Sequence, residues 1–118
     1  MAVTATRSTT IVFTGDVTGT ETLSAGSNAA SPGSVTVQTL ASGFNTITVP
    51  STSGVTVVAC TIVPPTGNTT AITLKGITGD TGVRLHNTDP STITIHSDVT
   101  AIGLTAGASI TGVRFFWS

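Results

Sequence analysis

Eight side chains hold most of the acid, base and thiol chemistry available to this chain: Asp16, Glu21, Asp80, Asp89, Asp98, His86, His96 and Cys60. Asp16, Asp80, Asp89 and Asp98 fall in predicted turns, where an aspartate accepts hydrogen bonds from backbone N–H groups two residues on. A calcium loop built from Asp16 or Asp80 is the rival reading, but calcium takes about six to eight oxygens. One Asp flanked by threonine and glycine does not supply them, and the spaced acids of an EF-hand are missing. His96 and Asp98 have the spacing of an oriented general base or half a metal site, yet no third Cys or His follows at ligand spacing. Twelve serines offer a nucleophile anywhere and therefore nowhere in particular, and no GxSxG elbow occurs. No pair of carboxylates is marked out for glycoside hydrolysis. The residues thus predict a non-enzyme with no cofactor and no metal.

Charge is scarce. Four Lys+Arg and five Asp+Glu make 8% of 118 residues and a net charge of -1, against about 25% in ordinary soluble domains. Without basic stretches to track a phosphate backbone, nucleic acid is not an expected partner. Cys60 is the lone cysteine, which excludes an intrachain disulfide; within the apolar run 55–63 it reads as a small buried hydrophobe. MAVTATRSTT lacks the basic start and apolar run of a secretory signal. No apolar stretch approaches the roughly 20 residues of a membrane helix. Synthesis in a cytoplasm, with no membrane partner, is the expectation.

Threonine makes up 27 of the 118 residues. It is β-branched and favours a pleated, half-buried surface. Strand patterns recur at short intervals: 9–14, 20–24, 34–40, 45–49, 55–63, 70–75, 83–86, 92–96, 99–105 and 109–117. In 34–40, Val35 and Val37 share one face with Thr36 and Gln38 opposite, the alternation of a strand with one side in a core. Residues 55–63 are apolar on both faces and read as a central strand, ended by Pro64-Pro65. Residues 25–33 (AGSNAASPG) read as a loop. The fold class predicted is all-β: a single domain over 1–118, an antiparallel β-sandwich of eight to ten short strands, jelly-roll-like.

The four basic residues are spread thinly. Arg84 and Arg114 lie within strand patterns, where an arginine can bond across a subunit boundary. Phe115, Phe116 and Trp117 close the chain, and adjacent strand residues point to opposite faces. With Phe115 and Trp117 inward, Phe116 must face solvent or a partner. Arg84, Arg114 and Phe116 are therefore the candidate subunit contacts.

The segment AITLKGITGDTGVRLHNTDPSTITI, residues 71–95, resembles small β-sandwich virion structural proteins of tailed bacteriophages. Leu74-Lys75-Gly76, Gly79-Asp80, Gly82, Leu85-His86 and Pro90 carry the resemblance. The stretch 101–117, with its aromatic final strand, has the same style, and 28–50 fits less distinctively. The resemblance implies a virion component. Head decoration (cement) proteins of this kind commonly form homotrimers on the major capsid protein lattice and reinforce it. A tail, baseplate or fibre module engaged in assembly or receptor binding is the alternative. Aromatic-rich loops that would suit sugar binding are absent, since there is no tyrosine and the single tryptophan lies in the last strand.

Overall fold

The computed structural model describes residues 3–15 and 19–118, and for residues 9, 13 and 21–25 the backbone only. Among the described residues there are ten strands: β1 (Val3–Phe13), β2 (Gly19–Ser31), β3 (Ser34–Leu40), β4 (Gly43–Thr48), β5 (Ala59–Val63), β6 (Ile72–Lys75), β7 (Val83–Arg84), β8 (Ser91–Thr94), β9 (Ala101–Ala106) and β10 (Ile110–Trp117). All their pairings are antiparallel. Among the described residues no helix is long and apolar enough to cross a membrane.

Eight of the strands form two four-stranded sheets, ordered β3-β10-β5-β8 and β4-β9-β6-β7. Strands β3 and β10, β4 and β9, β5 and β8, and β6 and β7 are hydrogen-bonded partners. The pairing is nested, as if one long hairpin had been folded at residues 76–82 and then rolled until β10 met β5 and β9 met β6. That winding is a jelly roll, and it bears out the predicted antiparallel β-sandwich. The core between the sheets is built from Leu40, Cys60, Ile62, Val113, Phe115 and Trp117 of the first and Ile47, Ile72, Ile102, Leu104 and Ala106 of the second. Phe115 and Trp117 stack with ring centroids 5.9 Å apart.

The hairpin tip explains the LKG-x-x-GD-x-G spacing in physical terms. Asp80 Oδ2 accepts hydrogen bonds from the backbone N–H of Gly76 (3.1 Å) and Ile77 (2.9 Å), so this aspartate caps a turn, as its neighbours suggest. Gly82 has φ +73°, and a Cβ there would run into the Leu74 carbonyl; only glycine suits both conditions. Asp16, the other calcium-loop candidate, lies outside the described residues.

Two stretches depart from expectation. Residues 25–31 are not a loop: β2 runs 13 residues and pairs with the 11-residue β1 as a separate two-stranded ribbon. Two register shifts, between Val3 and Ala5 and between Arg7 and Ser8, each place one extra residue on β2. Bulges of this kind let glycine, serine and alanine continue a ladder that their low strand propensity does not advertise. Of the run 55–63, only Ala59–Val63 is strand; Val55 bridges back to Thr52 in a tight turn, and the Thr56 N–H donates to the Ala30 carbonyl. In β3, where the alternation left the inward set open, the valines face outward, as described below.

Gly103 in β9 carries a sharp packing demand. A Cβ there would lie 2.6 Å from both the Lys75 carbonyl oxygen and the Phe44 ring, because the ring lies across the bare backbone. Gly107→Ala would meet nothing closer than 3.8 Å. Gly103→Ala is expected to cost about 1–3 kcal/mol through overpacking and Gly107→Ala less than about 0.5 kcal/mol, read as midpoint shifts in urea unfolding. Equal midpoints would contradict this packing.

Candidate assembly surface

Alternation along β10 decides which groups face water. Val113, Phe115 and Trp117 are buried, whereas Arg114 and Phe116 point away from the core. Across the ladder Phe116 pairs with Val35 on one side and Thr61 on the other, while Arg114 pairs with Val37 and Val63. Cross-strand partners share a face. The outer face of the first sheet therefore carries two rows, Val35–Phe116–Thr61, which β8 continues to Thr92, and Val37–Arg114–Val63.

Val35 is 50% exposed, Val37 64% and Phe116 37%. The Arg114 guanidinium carbon sits 5.6 Å from the Phe116 ring centroid, so the one charge on these rows is stacked on the patch. Such a stack keeps the cation hydrated on one side while covering apolar area on the other.

Sequence alternation pointed to a core face for β3 without showing which of its two sets enters. Leu40 has the parity of Thr36 and Gln38, and it is fully buried. Thr36 also faces inward, where its Oγ1 accepts a hydrogen bond from Trp117 Nε1 at 3.0 Å. A strand has only two faces, so with Leu40 and Thr36 inside, both valines are outside. The parity of Leu40 was the available signal.

The three candidate contacts do not form one site. Arg114 and Phe116 are neighbours on this face. Arg84 lies on β7, the edge of the other sheet, with its Nη2 3.3 Å from Asn87 Oδ1, in a cleft shared with Asn68, Leu85, His86 and Thr88.

The groups considered for catalysis are placed as follows. His86 Nδ1 accepts from the backbone N–H of Thr88 (3.2 Å) and Asp89 (2.9 Å), which leaves its proton on Nε2. His96 Nδ1 lies 2.7 Å from Asp98 Oδ1, with the two side chains 78% and 81% exposed. This pair can hold an imidazole in one orientation, but its hydrogen bonds stay within its own turn. Among the described residues no three His, Cys, Asp or Glu side chains come together. A groove of about 210 Å³ beside Gly103, lined by Phe44, Thr46, Ile77 and Thr78 among others, has no titratable side chain in its wall. Cys60 is fully buried, and burial pushes its thiol from the ordinary 9.0 up to about 12.

Comparison with known proteins finds no matching family model, no matching curated protein and no matching solved structure.

Two outcomes follow from the facing of β3 and the buried thiol. Thr36→Val removes the acceptor of a buried indole N–H and is expected to cost about 1–3 kcal/mol, whereas Val37→Thr stays within about 0.5 kcal/mol; urea denaturation of both variants checks the order, and the reverse order would refute the inward facing of Thr36. For Cys60 the unfolded thiol ionises near 9.0 and the folded thiol near 12. The unfolded state alone releases a proton between those values, so stability present below pH 9 falls as pH rises through that window. Unfolding midpoints at pH 8 and pH 10.5 should drop further for the parent chain than for Cys60→Ala, and equal drops would contradict the burial.

Proposed function

We propose that this chain is a structural, non-enzymatic component of a bacteriophage virion, a capsid decoration protein that self-associates, as a homotrimer, and binds the major capsid lattice. The observation carrying this reading is the apolar face formed by Val35, Val37 and Phe116 on a jelly roll with 8% charged residues. Large side chains left in contact on a surface mark a protein–protein contact. A threonine-rich surface around it suits docking, since few charges have to be stripped of water. The resemblance of residues 71–95 to virion proteins points the same way and supplies the setting.

In this role the chain acts by adding buried area at junctions between capsid subunits. Apolar burial contributes roughly 25 cal/mol per Å² before the cost of association. Screening acts mainly on exposed charges, so binding that depends on hydroxyls and apolar groups is nearly independent of salt.

Purified protein added to capsids stripped of it should raise their resistance to heat and osmotic shock. Its apparent affinity should change less than about threefold between 0.05 and 0.5 M salt, against the order-of-magnitude losses of charge-driven binding. Capsids equally fragile with and without the protein would sink the cement reading, and adsorption to tails or to host cells instead would favour the tail or fibre module.

A further inference from the structure

A strand at the edge of a sheet leaves alternate N–H and C=O groups of its backbone without a ladder partner. The two sheets of the sandwich have four such edges, β3 and β8 in the first and β4 and β7 in the second. Three of them are blunted. β7 has two residues and β8 has four. Thr92 and Thr94 of β8 also share a cleft with Thr6, Arg7 and Ser8 of the β1–β2 ribbon, an arm that joins neither sheet. β4 opens on Gly43 at φ +97°, whose carbonyl already accepts from Asn45 Nδ2 at 3.0 Å.

The β3 edge is open. The strand runs seven residues, SVTVQTL, with no charge and no proline. The irregularity in its ladder puts the extra residue on β10, so β3 itself is not bulged. Among the described residues its backbone makes no hydrogen bond beyond the ladder to β10, and it packs chiefly against β10 and against β9 of the facing sheet. Natural sheets protect an edge of this kind with charge, proline or a bulge. Without those devices, its free donors and acceptors are a template for a strand of another chain.

The side chains of β3 fit that strand to be β3 itself. Its centre is Val37, so an antiparallel pairing that uses all seven residues has a two-fold axis there. On the outer face Val37 then meets Val37 of the second copy and Val35 meets Thr39, β-branched groups opposite each other as sheets favour. On the inner face Thr36 meets Gln38. Thr36 Oγ1 accepts the Trp117 N–H, which leaves its own proton to donate. Gln38 is half-buried, and among the described residues its amide is unengaged. The amide oxygen of one copy can therefore accept from the hydroxyl of the other, twice per pair. No position sets like charges opposite each other.

We infer that β3 of one chain pairs antiparallel with β3 of a second copy about a two-fold axis at Val37, joining the two first sheets into one continuous sheet. The contact uses the same strand on both chains and closes at two. Val35, Val37 and Phe116 of the two copies then lie side by side on one outer face. This contact deepens the self-association in the functional reading and rests on it, but it involves no capsid. A two-fold joins chains in pairs, alongside any separate contact that closes a homotrimer, so the contacts can fail separately.

Sedimentation of the full chain, of Val37→Lys, of Val37→Glu and of an equimolar mixture of the two variants tests it. Val37 is 64% exposed, so circular dichroism should show folded sandwiches. At raised concentration the parent chain should be twice as heavy as either variant alone, whose dissociation constants should rise at least ~10-fold because like charges face each other at the axis. The mixture should regain the parent mass, since Lys then faces Glu. Where a charge disturbs folding, Val37→Cys gives a second test: mild oxidation should link two copies through position 37, whereas Val35→Cys, facing Thr39, should stay unlinked. A parent chain no heavier than the variants, as a ring closed by another surface alone would give, overturns the proposal. A mixture as light as its components, as pairing with a different strand would give, does so too, and so does a Val37→Cys chain that links no better than Val35→Cys.

Discussion

The inward packing of Phe115 and Trp117 is the constraint on which the rest of the molecule turns. The two rings stack at 5.9 Å in the core, and the indole N–H finds its acceptor in Thr36 of the neighbouring strand. Those contacts fix the register of the last strand against the third. Because strand side chains alternate without exception unless a bulge intervenes, fixing the inside also fixes the outside. Phe116, Val35 and Val37 are displaced to the surface by the same contacts that hold the core together. The exposed patch is thus a consequence of how the core closes, and not an accident of a loop.

Alternation made most of the fold legible. Residues 34–40 match β3 from end to end, and the final strand differs from its expected start by one residue. Both are long enough for period-2 patterning to be unambiguous, and the nested pairing of a jelly roll follows from joining such strands in antiparallel order. The arm was hidden because its second strand is written in glycine, serine, asparagine and alanine, residues that usually mark loops. A ladder held by main-chain hydrogen bonds and eased by two bulges needs no apolar alternation to form. Residues 55–58 misled in the opposite way: their valines promised a strand, yet the segment is committed to a turn at Thr52 and a bond to Ala30.

The surface site was half legible. Phe116 could be placed outside from its position between two aromatic neighbours, and Arg114 came with it. Val35 and Val37 could not be assigned by hydrophobicity alone, because two valines on one face outweigh one leucine on the other until the depth of burial is known. Arg84 shares the strand setting of Arg114 but lies on the far sheet, since sequence carries no direct record of which strands become neighbours. Charge is scarce across the chain: its described outer faces are built largely from hydroxyls, with the apolar Val35, Val37 and Phe116 exposed on one of them.

Hydroxyl-radical footprinting of the purified chain across a dilution series tests the central claim most directly, that the β3–β10 outer face is a surface covered on assembly. Val83, 64% exposed on the other sheet, serves as an internal reference. The expected result is that oxidation of Val35, Val37 and Phe116 falls several-fold relative to Val83 as concentration rises and the oligomer forms. Unchanged relative oxidation of those three residues, across a range in which the mass is seen to increase, would contradict the account.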